Sequence, residues 1–261
     1  MRTDDSAGNL RAPSGRHQFS DAAPRLAAVI FDVDGTLADT ERDGHRPAFN
    51  AAFTAHGLDV QWDVEHYGRL LRIAGGRHRI EADLRARGFG DDAAPLAAEV
   101  HLTKTAMFRD SILRGEVVPR PGVPELVVSL LGSGVRIAVA TTGRREWVEP
   151  LVGRLLGTHA VETLVTGDDV DELKPHPAAY LQALRRLQLS PCDALAIEDS
   201  AIGLRAAMTA GIATVVVAND YTLGQDFSGA ALVRSGFDGD DPLLAPGCAH
   251  AHRARWVSAH R

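Results

Sequence analysis

The stretch AAVIFDVDGTLADTE, residues 27–41, constrains this chain more than any other, because an apolar run goes straight into two carboxylates, Asp32 and Asp34, followed by Gly35 and Thr36. A short run rich in Val, Ile and Phe reads as a buried strand, and the C-terminal end of such a strand is where an open α/β sheet presents groups to a ligand. Comparable runs recur at 135–141, 161–166, 194–199 and 212–218. Helical patterns alternate with them at 122–134, 176–190 and 200–211, the last closing at Gly211 as a C-terminal cap does. This alternation predicts an α/β fold with a doubly wound, Rossmann-like parallel sheet covered by helices on both faces.

About a hundred residues separate the first strand from the second, far more than a crossover connection requires. Residues 45–57, 63–76, 77–90 and 94–115 each place apolar side chains at helical spacing, as with Phe49, Ala52 and Phe53. The expected organisation is an α/β core from 25–40 and 119–237, with an inserted helical cap, 41–118, hanging over the strand tips. Residues 1–24 and 238–261 mix Gly, Pro, Asp and Arg without apolar periodicity and are expected to be flexible tails, with the histidines of HAHRARWVSAH solvated.

Composition narrows the function. The 261 residues are 45% hydrophobic and 24% charged, ordinary for a soluble globular protein, and no apolar stretch approaches the roughly 20 residues that span a bilayer. No apolar leader is visible, so a cytoplasmic location is expected, without a membrane partner. A net charge of −6 argues against a nucleic-acid partner, and a monomer is expected. Cys192 and Cys248 lack the spacing of a thiolate metal site. Of 28 basic residues only Lys104 and Lys174 are lysines, and arginine is a poor replacement only where a compact ammonium is needed.

Four pieces fall at strand C-terminal ends: Asp32 with Asp34, Thr141 with Thr142, Lys174 in LKPHP, and Glu198 with Asp199 in IEDS. In a parallel sheet these tips share one edge, so the residues converge on one crevice. Converged acids repel each other and require a cation. Hard oxygen donors favour Mg²⁺, which takes one or two carboxylates together with substrate phosphate, and Lys174 and a Thr hydroxyl would complete a phosphate seat. A calcium loop counted from Asp32 would need Gly and Glu at its sixth and twelfth positions, where this chain has Leu37 and Asp43. Ser200 after the acids reads as a helix N-cap. There is no Walker A loop, G-x-S-x-G elbow or H-E-x-x-H.

FDVDGTLADTE, ATT, LKPHP and EDSAIGLRAAMTAG, in this order, resemble the four motifs of the haloacid dehalogenase superfamily of phosphohydrolases over about residues 26–235. TERDGHRPAFN, WDVEHYGRLL, GGRHRI and HLTKTAMF in the inserted segment resemble its CbbY branch, whose relatives include sugar-phosphate phosphatases and β-phosphoglucomutase. The resemblance implies that Asp32 is a nucleophile forming an aspartyl-phosphate and that Asp34 is the general acid and base. It implies Mg²⁺ on Asp32, the Asp34 main-chain carbonyl, Asp199 and Glu198, with Lys174 and Thr141 neutralising the phosphoryl oxygens. One departure is Gly143 after the Thr pair, followed by Arg144 and Arg145. A phosphomutase would share every core residue. A carbon–halogen hydrolase would need neither Asp34 nor a metal, and a non-catalytic phosphoacceptor or binding module would need no cap.

Specificity is expected from the inserted segment. Glu41 can accept sugar hydroxyl hydrogen bonds, and Tyr67 offers a ring face and a phenol. Gly75 and Gly76 present N–H groups with Arg77 and Arg79 behind them, and with Lys104 they could hold a second phosphate. The resemblance points the same way, to a phosphorylated ketose and specifically xylulose-1,5-bisphosphate, a misfire product that inhibits carbon fixation.

Overall fold

The structure, a computed structural model, describes residues 25–73 and 75–258, so the expected N-terminal tail lies outside the described residues. Strand β1 (Ala28–Phe31) pairs in parallel with β2 (Arg136–Ala140) on one side and β4 (Ala194–Glu198) on the other. With β3 (Thr163–Val165), β5 (Ala213–Val217) and β6 (Leu232–Arg234), the six strands take the order β3-β2-β1-β4-β5-β6. Strand order reverses at β1. The acid-bearing strand therefore occupies the topological switch point, where open sheets bind ligands.

Period-two alternation sends β1 side chains to both faces. Val29 and Phe31 pack with α5 (Val123–Gly132), α6 (Arg145–Leu156) and α9 (Ala245–Ser258), whereas Ala28 and Ile30 pack with α7 (Ala178–Leu187) and α8 (Ala201–Thr209). Gly211, at φ 81°, follows the end of α8 as its sequence position suggested.

The inserted segment forms α1 (Arg46–Ala55), α2 (Val64–Leu70), α3 (Gly76–Ala86) and α4 (Ala93–Arg114). They enclose a separate apolar cluster in which Phe49, Phe53, Trp62, Tyr67, Ile80 and Leu84 are fully or almost fully buried. Asp83 anchors it, accepting from Trp62 Nε1 at 2.8 Å, Arg87 Nε at 2.8 Å and His66 Nε2 at 2.9 Å. These partners hold the Asp83 carboxyl below its ordinary pKa although burial acts the other way. Among the described residues, no helix is long and apolar enough to cross a membrane.

Two elements lie outside the sequence reading, and one departs from it. Strand β6 spans three half-exposed or exposed residues, too few to show a period. Helix α6 carries Pro150 inside it, which reads as a helix breaker. The expected flexible C-terminal tail is instead helix α9 over Ala245–Ser258, with Cys248, Ala251 and His252 buried. Its buried side is made of small and polar residues, so it shows no conventional apolar stripe. His252 is not solvated, because its Nε2 donates to the Cys192 carbonyl at 2.8 Å.

Candidate active site

Parallel pairing brings the C-terminal ends of β1, β2 and β4 to one edge. The residues that follow them meet there. Asp32, Glu198 and Asp199 are buried and each offers a carboxylate oxygen within 4.8 Å of the others. Lys174 enters from the loop before α7, its Nζ donating to Asp32 Oδ1 at 2.5 Å and to Glu198 Oε1 at 2.6 Å. The hydroxyl of Tyr180, on α7, also donates to Glu198 Oε1, at 2.6 Å. Asn219, just beyond β5, donates from Nδ2 to Asp199 Oδ2 at 2.8 Å.

Gly35 makes this closeness possible. Its φ is +80°, and a Cβ there would lie 2.3 Å from Asp199 Oδ2 and 2.6 Å from Asn219 Nδ2. Asp34 stands on the same turn, and Thr40 donates its hydroxyl hydrogen to Asp34 Oδ1. Thr40 begins a π-helical turn, Thr40–His45, leading into α1, so one short segment carries both the acid and its partner.

The charge balance is uneven. Three clustered carboxylates meet one ammonium, and burial raises all the aspartates of the site. Asp32 is pushed up to about 7, chiefly by burial, with Glu198 and Asp34 adding to it against Lys174. Asp34 is pushed up to about 6 by burial and by Glu41, against the Thr40 hydrogen bond. Asp199 is raised well above its ordinary value for the same leading reason. Burial alone would lower the Lys174 ammonium, but Asp32 and Glu198 outweigh it and raise its pKa. An all-oxygen donor set carrying this excess of buried negative charge fits a hard divalent cation.

Thr141 is buried at the tip of β2 with its N–H donating to the Val165 carbonyl at 3.0 Å, and its Oγ1 accepts from Gly143 N at 3.1 Å. Thr142 is half-buried beside it, facing the turn at Gly167. Arg144 and Arg145 are held away by acids after β3: Arg144 pairs with Asp168 at 2.5 Å and Arg145 with Asp169 at 2.5 Å.

The cap residues divide. Glu41 is half-buried, accepting from the Tyr67 hydroxyl, with Arg79 NH1 4.0 Å from its other oxygen. Tyr67 is fully buried, its ring centroid 5.8 Å from that of Phe49, 5.7 Å from Trp62 and 5.9 Å from Tyr221. This corrects the reading of Tyr67 as an open ring face. Its phenol orients Glu41 instead. Lys104 is also buried: Nζ donates to His45 Nδ1 at 2.7 Å and lies 4.6 Å and 5.0 Å over the Phe49 and Phe108 rings. Burial pulls its ammonium down to about 8, with Glu41 and Asp34 opposing and Arg79 assisting. Lys104 therefore faces the Asp34 side of the cap. Gly75, at φ 86°, precedes α3, and Gly76 packs on His101 and Phe49, while Arg77 is exposed at the start of the same helix.

Thr40, Tyr180 and Asn219 escaped the sequence reading. Asn219 carried a usable signal, since VVVAND ends a strand as the acidic motifs do. Tyr180 did not, because it sits on the apolar side of α7 and reads as core.

Residues 26–211 match the haloacid dehalogenase-like hydrolase family. The chain is 43% identical over 208 residues to protein CbbY of Rhodobacter capsulatus, covering 78% of this chain and 91% of that protein. The crystal structure of CbbY from Rhodobacter sphaeroides in complex with phosphate superposes with a TM-score of 0.71 at 40% identity, covering 85% of this chain and 99% of that one. A mutant of the same protein in complex with xylulose-1,5-bisphosphate gives 0.70 at 39% identity, with the same coverage.

Proposed function

This chain belongs to the haloacid dehalogenase-like hydrolases and is a phosphoric monoester hydrolase, and from that premise we propose that it is a Mg²⁺-dependent phosphatase of a ketose phosphate, with xylulose-1,5-bisphosphate as substrate. The observation that carries the reading is the meeting of Asp32, Glu198 and Asp199 around Lys174 beside Asp34. The xylulose-1,5-bisphosphate complex of the Rhodobacter sphaeroides relative supports the choice of sugar.

In this reading Asp32 attacks phosphorus through a carboxylate oxygen, the ester P–O bond breaks, and an aspartyl-phosphate forms. Asp34 gives its proton to the departing sugar oxygen and then takes one from the water that hydrolyses the acyl phosphate. Thr40 fixes Asp34 through its hydroxyl. Lys174 holds Asp32 in place and offsets negative charge on the phosphoryl oxygens, together with the Thr141 hydroxyl. Asp32, Asp199, Glu198 and the Asp34 main-chain carbonyl would hold Mg²⁺, which when bound neutralises the phosphate so that an anionic nucleophile can approach it. Glu41, oriented by Tyr67, takes sugar hydroxyls, while Lys104, Arg79, Arg77 and the N–H groups at Gly75 and Gly76 serve the second phosphate.

The test is phosphate release across a panel of sugar mono- and bisphosphates, with Mg²⁺ and after EDTA. Wild-type protein should release phosphate from the pentulose bisphosphate preferentially and only with the metal, and Asp32→Asn should release none. Turnover that survives EDTA or the Asp32 substitution would overturn the assignment. A phosphomutase would return an isomerised sugar phosphate with little free phosphate.

A further inference from the structure

The seam between core and cap on the α4–α6 side holds a contact that the proposed chemistry does not use. Gly143 closes the loop that carries Thr141, its N–H donating to Thr141 Oγ1 at 3.1 Å and its carbonyl accepting from Gly167 N at 2.9 Å. A Cβ at Gly143 would lie 2.4 Å from the Trp147 indole and 2.7 Å from a Val148 methyl, and its φ is not in the left-handed region. Glycine is required here by space, not by backbone freedom. The departure noted in the sequence thus has a physical cause, which is that Trp147 lies against the loop.

The same indole faces the cap. Its ring centroid is 5.4 Å from Phe108 at an interplanar angle of 71° and 6.0 Å from His45 at 83°. His45 in turn packs on Phe108 at 3.8 Å and accepts from Lys104. The polar contacts flanking the seam, Arg109 with Glu146 at 2.9 Å and Arg154 with the Leu113 carbonyl at 2.6 Å, involve exposed groups and contribute little rigidity. Close-packed aromatic surfaces shift between discrete arrangements, so the indole cannot follow the cap without uncovering Gly143.

We propose that Trp147 is a specificity-determining positioning residue that couples the seating of the cap to the setting of the Thr141–Gly143 loop; this rests on the sugar-phosphate reading above. A substrate that reaches Lys104 stabilises the seated cap and, through Trp147, fixes the loop under the transferring phosphate. A substrate too small to reach the cap gains nothing from that coupling.

The experiment compares kcat/KM for xylulose-1,5-bisphosphate and for p-nitrophenyl phosphate in wild type, Trp147→Ala, Trp147→Phe, Phe108→Leu and the Trp147→Ala/Phe108→Leu double variant. The ratio of the two values should fall at least about tenfold in Trp147→Ala, recover in large part in Trp147→Phe, and fall in Phe108→Leu. The double variant should fall no further than the worse single variant, because both act through one contact. Equal losses on both substrates, or losses that multiply in the double variant, would overturn the proposal. If wild type cleaves the aryl ester but no sugar phosphate, the sugar reading fails. The coupling is then judged by Tm in wild type, Trp147→Ala, Phe108→Leu and their double variant, where additive shifts would overturn it and non-additive shifts would sustain it.

Discussion

The strand-tip cluster and the polar cluster of the cap carry opposite excess charge. On the core side Asp32, Glu198 and Asp199 cluster with Asp34 beside them, and Lys174 pairs with Asp32 and Glu198. On the cap side Lys104 and Arg79 stand around a single carboxylate, Glu41. The core side concentrates buried negative charge, whereas the cap side carries a positive excess. The two regions also differ in how their side chains are addressed: the core acids follow strand ends, and the cap residues project from helices packed into a separate core.

The difference can be tested first where it predicts most. Asp34→Asn keeps the shape of the strand-tip site but removes the proposed acid and base, and should lower kcat by about 10²–10⁴-fold on every phosphate ester, measured by phosphate release. A loss confined to sugar substrates would place Asp34 with the cap instead.

Lys174→Arg should cost about 10–100-fold, because the ammonium sits between Asp32 and Glu198 with its side chain 5% exposed, leaving no room for a planar guanidinium. Wild-type kinetics in this variant would show that charge alone matters there. A loss of Mg²⁺ affinity, read by calorimetry, would show that Lys174 also sets the spacing of the acids.

The smallest effect belongs to the cap. The Lys104 ammonium, lowered to about 8 by burial, is charged below that pH and neutral above it. Glu41 and Asp34 favour the charged form, Arg79 opposes it, and neutral His45 accepts its hydrogen bond. KM for the bisphosphate should therefore rise by about tenfold as pH climbs through 8, with little change for a monophosphate. Lys104→Met should flatten that dependence. A pH slope that persists in the variant would assign the titration to another group.

The core was legible in the sequence because a buried parallel strand is a continuous apolar run, and the residue after it has a fixed address. Asp32, Glu198 and Asp199 could be read as neighbours without knowing a single loop conformation. Lys174 needed only the next connection. Helical periodicity carries less information. It placed a helix within residues 63–76, yet could not say whether Tyr67 met other rings or a substrate. Trp147 was hidden for a related reason, since an aromatic near a helix start gives no sign that its two edges touch different layers. Helix α9 was hidden by composition, for a face of Ala, Cys and His lacks the contrast that marks an amphipathic helix.

Arg120 lies where the chain returns from the cap. Its N–H donates to the Leu37 carbonyl at 2.9 Å, and its guanidinium donates to the carbonyls of Gly35 at 2.6 Å, Val217 at 2.9 Å and Ala218 at 3.0 Å. The outgoing and returning chains are thus one hydrogen bond apart, so the core meets the whole insertion as it would meet a hairpin turn. Closure entropy grows only logarithmically with the length of such a detour. The sheet edge can therefore keep its geometry while the inserted segment changes in length, helix count or recognition surface, and the same hydrolytic centre can be fitted with a different reader.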